Sequence, residues 1–230
     1  MITTIAFDAD DTLWHNERIF LSTKDKFTAL LSEFHDKIYI ERHLDATEIK
    51  NLKHFGYGVK GFTLSMIETA CELTDGCITG DKIKDIVAFG KDMLDSPIEV
   101  LDGVEHTISE LSGKYRLMCI TKGELLDQET KLARSGLGEY FDALEIVPHK
   151  TAEAYEKILG KHNISKNEFV MVGNSLRSDI LPVIEIGAKA VFIPYESEWF
   201  HESVSDEELQ GKIFTTLDNI GKLSDWIRLQ

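Results

Sequence analysis

The stretch Phe7-Asp8-Ala9-Asp10-Asp11-Thr12-Leu13 constrains this chain more than any other. Ile2 to Phe7 is short, apolar and rich in β-branched residues, so it reads as a buried strand. That strand runs directly into three carboxylates in four positions. Like charges this close repel, and a buried one is costly unless positive charge sits among them. A hard divalent cation with oxygen ligands, Mg²⁺ first among them, resolves the conflict. Asp8 and Asp10 are two apart, so in an extended chain they point to the same side. One carboxylate can then attack an electrophile while the other passes protons. The same residues also suit a plain strand end and an Asx-type turn, with Thr12 capping a helix.

A chain of 230 residues exceeds one average domain and falls short of two, so one core with a sizeable insert is expected. The formal charge of −15 argues against binding nucleic acid or an anionic membrane through a basic face. A phosphorylated ligand must therefore be drawn in locally, by a cation and a few placed Lys or Arg. Cys71, Cys77 and Cys119 are odd in number and not spaced like a zinc site, as expected of thiols in a reducing cytosol. No apolar stretch approaches the ~18 residues of a membrane span. Asp8 comes too early for a signal peptide. A cytoplasmic protein is expected, and no feature sets its oligomeric state.

Beyond Trp14 the pattern is helical. Ile19, Phe20, Phe27, Leu30, Leu31 and Phe34 share one helix face, and further helices are expected over 46–55, 62–73 and 81–94. Gly56 to Gly61 interrupts them as a glycine-rich loop. Residues 14–96 thus read as a helical bundle inserted after the first strand, with Pro97 and Gly103 near its exit. From Ile98 onward strands and helices alternate. Strands are expected over 115–121, 144–147, 169–172, 190–193 and 212–215, and helices over 104–111, 125–135, 152–162, 179–186 and 217–229. Alternation of this kind predicts an α/β fold, a doubly wound and mainly parallel sheet covered on both faces. Residues 1–13 and 97–230 would form this core. Such sheets bind ligands just beyond the carboxyl ends of their strands. The residues at those ends are Asp8 and Asp10, then Thr121, Lys122 and Gly123, then Pro148, His149 and Lys150, then Gly173, Asn174, Ser175 and Asp179.

Four ordered motifs resemble those of the haloacid dehalogenase-like superfamily, mostly phosphatases. Asp8-Ala9-Asp10-Asp11-Thr12 is similar to its first motif, and Thr121 in Cys119-Ile120-Thr121-Lys122-Gly123 to its second. Lys150 in Pro148-His149-Lys150-Thr151 is similar to its third, and Gly173 to Asp179 resembles its fourth, an acidic pair. The helical insert stands where the family's C1-type cap belongs, giving the Rossmann-like core with a cap at 14–96. Two departures stand out: Asp11 where Gly is common, and Asn174 where an Asp usually helps hold the metal. Dehalogenating members lack the second carboxylate, so Asp10 favours phosphoryl transfer.

The resemblance implies a Mg²⁺-dependent phosphatase of a small-molecule phosphate monoester, working through an aspartyl-phosphate. Asp8 would be the nucleophile and Asp10 the acid/base, and Thr121, Lys122 and Lys150 would hold the phosphoryl group. The cation would sit at Asp8, the Asp10 carbonyl, Asn174 and Asp179. His15, Tyr57 and Lys60 are candidates for contact with the leaving group. A sugar phosphomutase on the same core is the near alternative. A non-catalytic phosphate-binding or regulatory protein is the distant one, motivated by Asn174.

Overall fold

The computed structural model describes residues 1–196 and 202–230, and the chain divides into two units, 1–17 with 98–230, and 18–97. The first unit is built on a six-stranded parallel sheet. Its strands are β1 (Thr4–Phe7), β2 (Arg116–Lys122), β3 (Ala143–Val147), β4 (Phe169–Gly173), β5 (Lys189–Phe192) and β6 (Thr215–Thr216). They lie in the order β3-β2-β1-β4-β5-β6. The two-residue period of the strands sorts their side chains onto opposite faces. Ile5, Phe7, Leu117, Cys119, Val170 and Val172 form one buried cluster. Ala6, Met118, Ile120 and Met171 belong to the other. The first cluster is closed by Val104 and Ile108 of α5 (Val104–Leu111) and by Leu223 and Ile227 of α10 (Leu223–Arg228). The second is closed by Tyr155, Ile158 and Leu159 of α7 (Ala152–His162) and Val183 of α8 (Leu181–Glu185). Both faces of the sheet are therefore covered, as parallel sheets require.

The second unit contains α1 from Arg18 onward (α1 spans Glu17–Leu30), α2 (Lys37–Phe55), α3 (Val59–Leu73) and α4 (Gly80–Asp95). Phe27, Leu31, Ile40, Leu44, Phe62, Met66 and Ile86 form its core. Helix α2 begins nine residues before the expected Ala46, because Asp36 caps it by accepting from the Tyr39 N–H at 3.0 Å. Glu48 of α2 is a carboxyl that burial raises from 4.5 to about 7, with Lys24 opposing the shift. Its folded pKa exceeds its unfolded one, so the stability it contributes is complete below pH 4.5 and is lost as pH rises through about 7. Glu48→Gln imitates the protonated form. It is expected to gain stability over wild type as pH rises across that window, by at most ~3 kcal/mol, in urea melts at low and high pH. A difference that stays constant with pH would contradict this.

Three other segments depart from expectation, the first being the strand expected over 212–215, which is only the two-residue β6. The helix expected over 179–186 is instead a wide turn, Leu176–Ile180, leading into the short α8. Its closing bond runs five residues back, from the Leu181 N–H to the Leu176 carbonyl. Pro182 has no N–H to give Ser178, whose carbonyl accepts instead from the Tyr155 hydroxyl at 3.0 Å. The helix expected over 217–229 shortens to α10, after one tight turn at Ile220–Lys222. No helix among the described residues is long and apolar enough to cross a membrane.

Candidate active site

The sheet order determines which strand ends can meet. β1 is central, and the chain winds from it to β2 and β3 on one side and then to β4 on the other. Ligand crevices form at such a reversal, beyond the carboxyl ends of the strands. Phe7 is in register with both Cys119 and Val172. The Asp8 N–H then donates to the Val172 carbonyl at 2.9 Å. Continuing that register, Asp8 stands level with Ile120 and Gly173, one residue before Thr121 and Asn174 on the flanking strands.

Three buried charges occupy this point. Lys150 Nζ donates to Asp8 Oδ1, and to Asp179 Oδ1 at 2.7 Å. The side chains of Lys150 and Asp179 are each only 1% exposed. Burial raises the Asp8 carboxyl from 3.8 to about 7, with Lys150 opposing and Asp179 adding to the rise. Burial alone would lower the Lys150 ammonium, but Asp179 and Asp8 hold it well above its ordinary value. The other oxygen of Asp179 accepts from the Ser175 N–H at 3.0 Å. Both Asp179 oxygens are thus engaged within the protein, and its charge reaches Asp8 through Lys150. Gly173 makes room for this arrangement: a Cβ there would stand 2.2 Å from Asp179 Oδ2.

Asn174 faces three oxygens. The amide atom on that side lies 3.0 Å from Thr12 Oγ1, 3.2 Å from Asp8 Oδ2 and 3.3 Å from the Asp10 carbonyl. With its nitrogen inward, Asn174 donates to them. With its oxygen inward, it accepts from Thr12 and otherwise meets only acceptors, Asp8 Oδ2 and the Asp10 carbonyl. Oxygens about 3 Å apart match adjacent ligands of a small octahedral cation, whose metal–oxygen distances are ~2.0–2.1 Å. Asp8, the Asp10 carbonyl and Asn174 therefore suit such an ion. Thr12 bonds Asp8 and Asn174 rather than capping a helix. Asp11 makes the turn, in the left-handed region at φ 63°, where Gly or Asp is tolerated. Its Oδ1 accepts from the N–H groups of Asn16 and Glu17 at 2.8 and 3.0 Å.

The Asp10 carboxylate has partners that the sequence did not disclose. Trp14 Nε1 donates to it at 2.8 Å, Gln128 Nε2 at 2.8 Å and Lys131 Nζ at 3.1 Å. Gln128 and Lys131 lie on α6 (Leu125–Arg134), one turn apart on the same face. Gly123 opens the loop before α6 at φ 131° and packs close to Gln128. The i, i+3 spacing of Gln128 and Lys131 marks a shared helix face but names no partner for it.

Thr121 is buried at the end of β2. The Lys122 ammonium donates to Ser178 Oγ at 2.9 Å and to Glu202. His15 Nδ1 lies 2.6 Å from the Tyr195 hydroxyl. Lys60 is exposed in the first turn of α3, in the second unit.

A fold of this topology, with acidic, hydroxyl, lysine and amide groups at successive strand ends, defines a hydrolase class. A family model of haloacid dehalogenase-like hydrolases matches residues 2–187, and the chain belongs to that family. The structure is similar to that of a haloacid dehalogenase-like hydrolase from Xanthomonas campestris, with a TM-score of 0.88 at 37% identity, covering 99% of this chain and 91% of that one. The 5-amino-6-(5-phospho-D-ribitylamino)uracil phosphatase of Escherichia coli is 23% identical over 211 residues, 85% of this chain and 85% of that protein. The glyceraldehyde 3-phosphate phosphatase of Methanothermobacter thermautotrophicus is 30% identical over 125 residues, 52% of this chain and 54% of that protein.

Proposed function

We propose that this hydrolase is a cytoplasmic Mg²⁺-dependent phosphatase of small phosphate monoesters, working through an aspartyl-phosphate on Asp8. The observation that carries the reading is the pair of carboxylates Asp8 and Asp10, held in opposite environments. Asp8 is buried against Lys150. Asp10 is partly exposed and accepts from three N–H donors. A nucleophile and an acid/base need that kind of division. The phosphatases among the relatives support the same chemistry.

Asp8 attacks phosphorus, and the bond to the leaving oxygen breaks as Asp10 supplies its proton. Asp10 then takes a proton from water, which attacks the acyl phosphate and regenerates the Asp8 carboxylate. Its carboxylate oxygens accept from Trp14, Gln128 and Lys131, which hold it in place for both halves. Lys150 and the groups around Thr121 offset charge on the phosphoryl oxygens. Mg²⁺ at Asp8, the Asp10 carbonyl and Asn174 would supply the charge that keeps a carboxyl otherwise raised to about 7 ionised beside an anionic ester. Residues 18–97 take the part of the family's cap, and in the first unit His15 is a contact for the leaving group.

A screen of phosphate monoesters with purified protein tests this. Orthophosphate release is expected in excess Mg²⁺, lost with a chelator and restored when Mg²⁺ is returned. Full activity after exhaustive demetallation would contradict the metal assignment. An isomeric sugar phosphate in place of orthophosphate would indicate transfer rather than hydrolysis.

A further inference from the structure

Three donors beside the phosphoryl site converge on one carboxylate. Lys122 Nζ, Ser175 Oγ and Ser178 Oγ all bond Glu202. An ionised carboxylate only accepts, so both hydroxyl protons point to it. The rest of the network agrees. Ser175 Oγ accepts from the Ser178 N–H at 3.0 Å, and Ser178 Oγ accepts from Lys122 at 2.9 Å. Glu202 comes from the chain beyond β5, and its side chain and that of Lys122 are only 12% and 17% exposed. Burial would raise this carboxyl, but Lys122 and the two hydroxyls hold it below the usual range. A structural tie needs one ion pair. An ammonium with two hydroxyls is the donor set that holds a free oxyanion. Lys122 follows Thr121, Ser175 follows Asn174 and Ser178 precedes Asp179; the Ser175 N–H also bonds Asp179, which shares Lys150 with Asp8.

We propose that Lys122, Ser175 and Ser178 form an oxyanion subsite that Glu202 fills from within the same chain. A second anionic group on the substrate, carboxylate or phosphate, would take its place. Glu202 is then a specificity-determining residue, disfavouring substrates whose second anion must displace it. The substrate clause rests on the phosphatase reading; the anion clause does not.

The test has two arms. In the first, acetate is titrated into wild type, Glu202→Ala and Glu202→Ala/Lys122→Met, with binding read by calorimetry. Glu202→Ala is expected to bind acetate about ten-fold more tightly than wild type or more, the effect of one charge-assisted hydrogen bond, and the double variant to lose that gain. If Glu202→Ala does not fold, Glu202→Ser, which also empties the subsite, serves the same arm. Acetate binding no tighter than in wild type overturns the subsite. In the second arm, kcat/KM is compared for a carboxylate-bearing monoester and a neutral one. Their ratio should rise about ten-fold in Glu202→Ala. An unchanged ratio overturns the substrate's use of the subsite. Wild type inactive on both monoesters would refute the phosphatase reading while leaving the acetate result to stand or fall alone.

Discussion

Asp8→Asn protein is expected to fold as wild type does and to lose turnover by about 10⁴-fold or more, since an amide is a very poor nucleophile and only binding and positioning remain. The fold should survive because the exchange is isosteric and leaves Lys150 paired with Asp179 at 2.7 Å. Its unfolding midpoint in urea should therefore stay close to that of wild type. The two readouts must be taken together. Activity lost along with the fold would say nothing about chemistry, whereas activity retained in a folded Asp8→Asn protein would remove Asp8 from the mechanism.

Lys150→Met should produce the largest change in stability. Among the described residues, the lysine is the one positive side chain that bonds both Asp8 and Asp179. Its removal leaves two buried carboxyls facing each other with no counter-charge, and breaking such a group typically costs ~3–5 kcal/mol. The loss should be greater at alkaline than at acidic pH, because protonation relieves the repulsion at low pH. Excess Mg²⁺ should restore part of it if the cation binds at Asp8, and Lys150→Arg should lose much less. Urea unfolding at two pH values, with and without Mg²⁺, measures all three effects. A loss below ~1 kcal/mol would mean that Asp8 and Asp179 are solvated enough not to need the lysine.

The same two residues show what could be read before the structure. Asp8, Thr121, Lys150 and Asn174 were legible because a parallel sheet sends every strand's carboxyl end to one rim, and each of them lies at or shortly beyond such an end. Asp179 was legible as a neighbour of these strand ends, but its pairing with Lys150 and the Ser175 N–H was not, because that depends on the wide turn at Leu176–Ile180. Trp14, Gln128 and Lys131 around Asp10 were missed for another reason. A polar residue on a helix face carries no mark of its partner, and Gln128 and Lys131 reach Asp10 only through the packing of α6 beside the sheet. Glu202 was hidden most completely, since it follows no strand directly and lies on no periodic face. The start of α2 was recoverable: Asp36 as a cap and the spacing of Ile40, Leu44, Thr47 and Asn51 point to it.

The proposed mechanism requires a covalent bond between Asp8 and phosphorus, and Asp10→Asn is the variant in which to see it. This exchange keeps the nucleophile and the Asp10 carbonyl but removes the proton carrier. With an aryl phosphate whose leaving group needs no protonation, the variant should still be phosphorylated and then hydrolyse ~10²–10⁴-fold more slowly than wild type. Intact-mass measurement during that reaction should find one added phosphoryl group per chain, and peptide mapping should place it on Asp8. A phosphoryl group on any other residue, or turnover without any covalent species in a burst experiment, would contradict the mechanism.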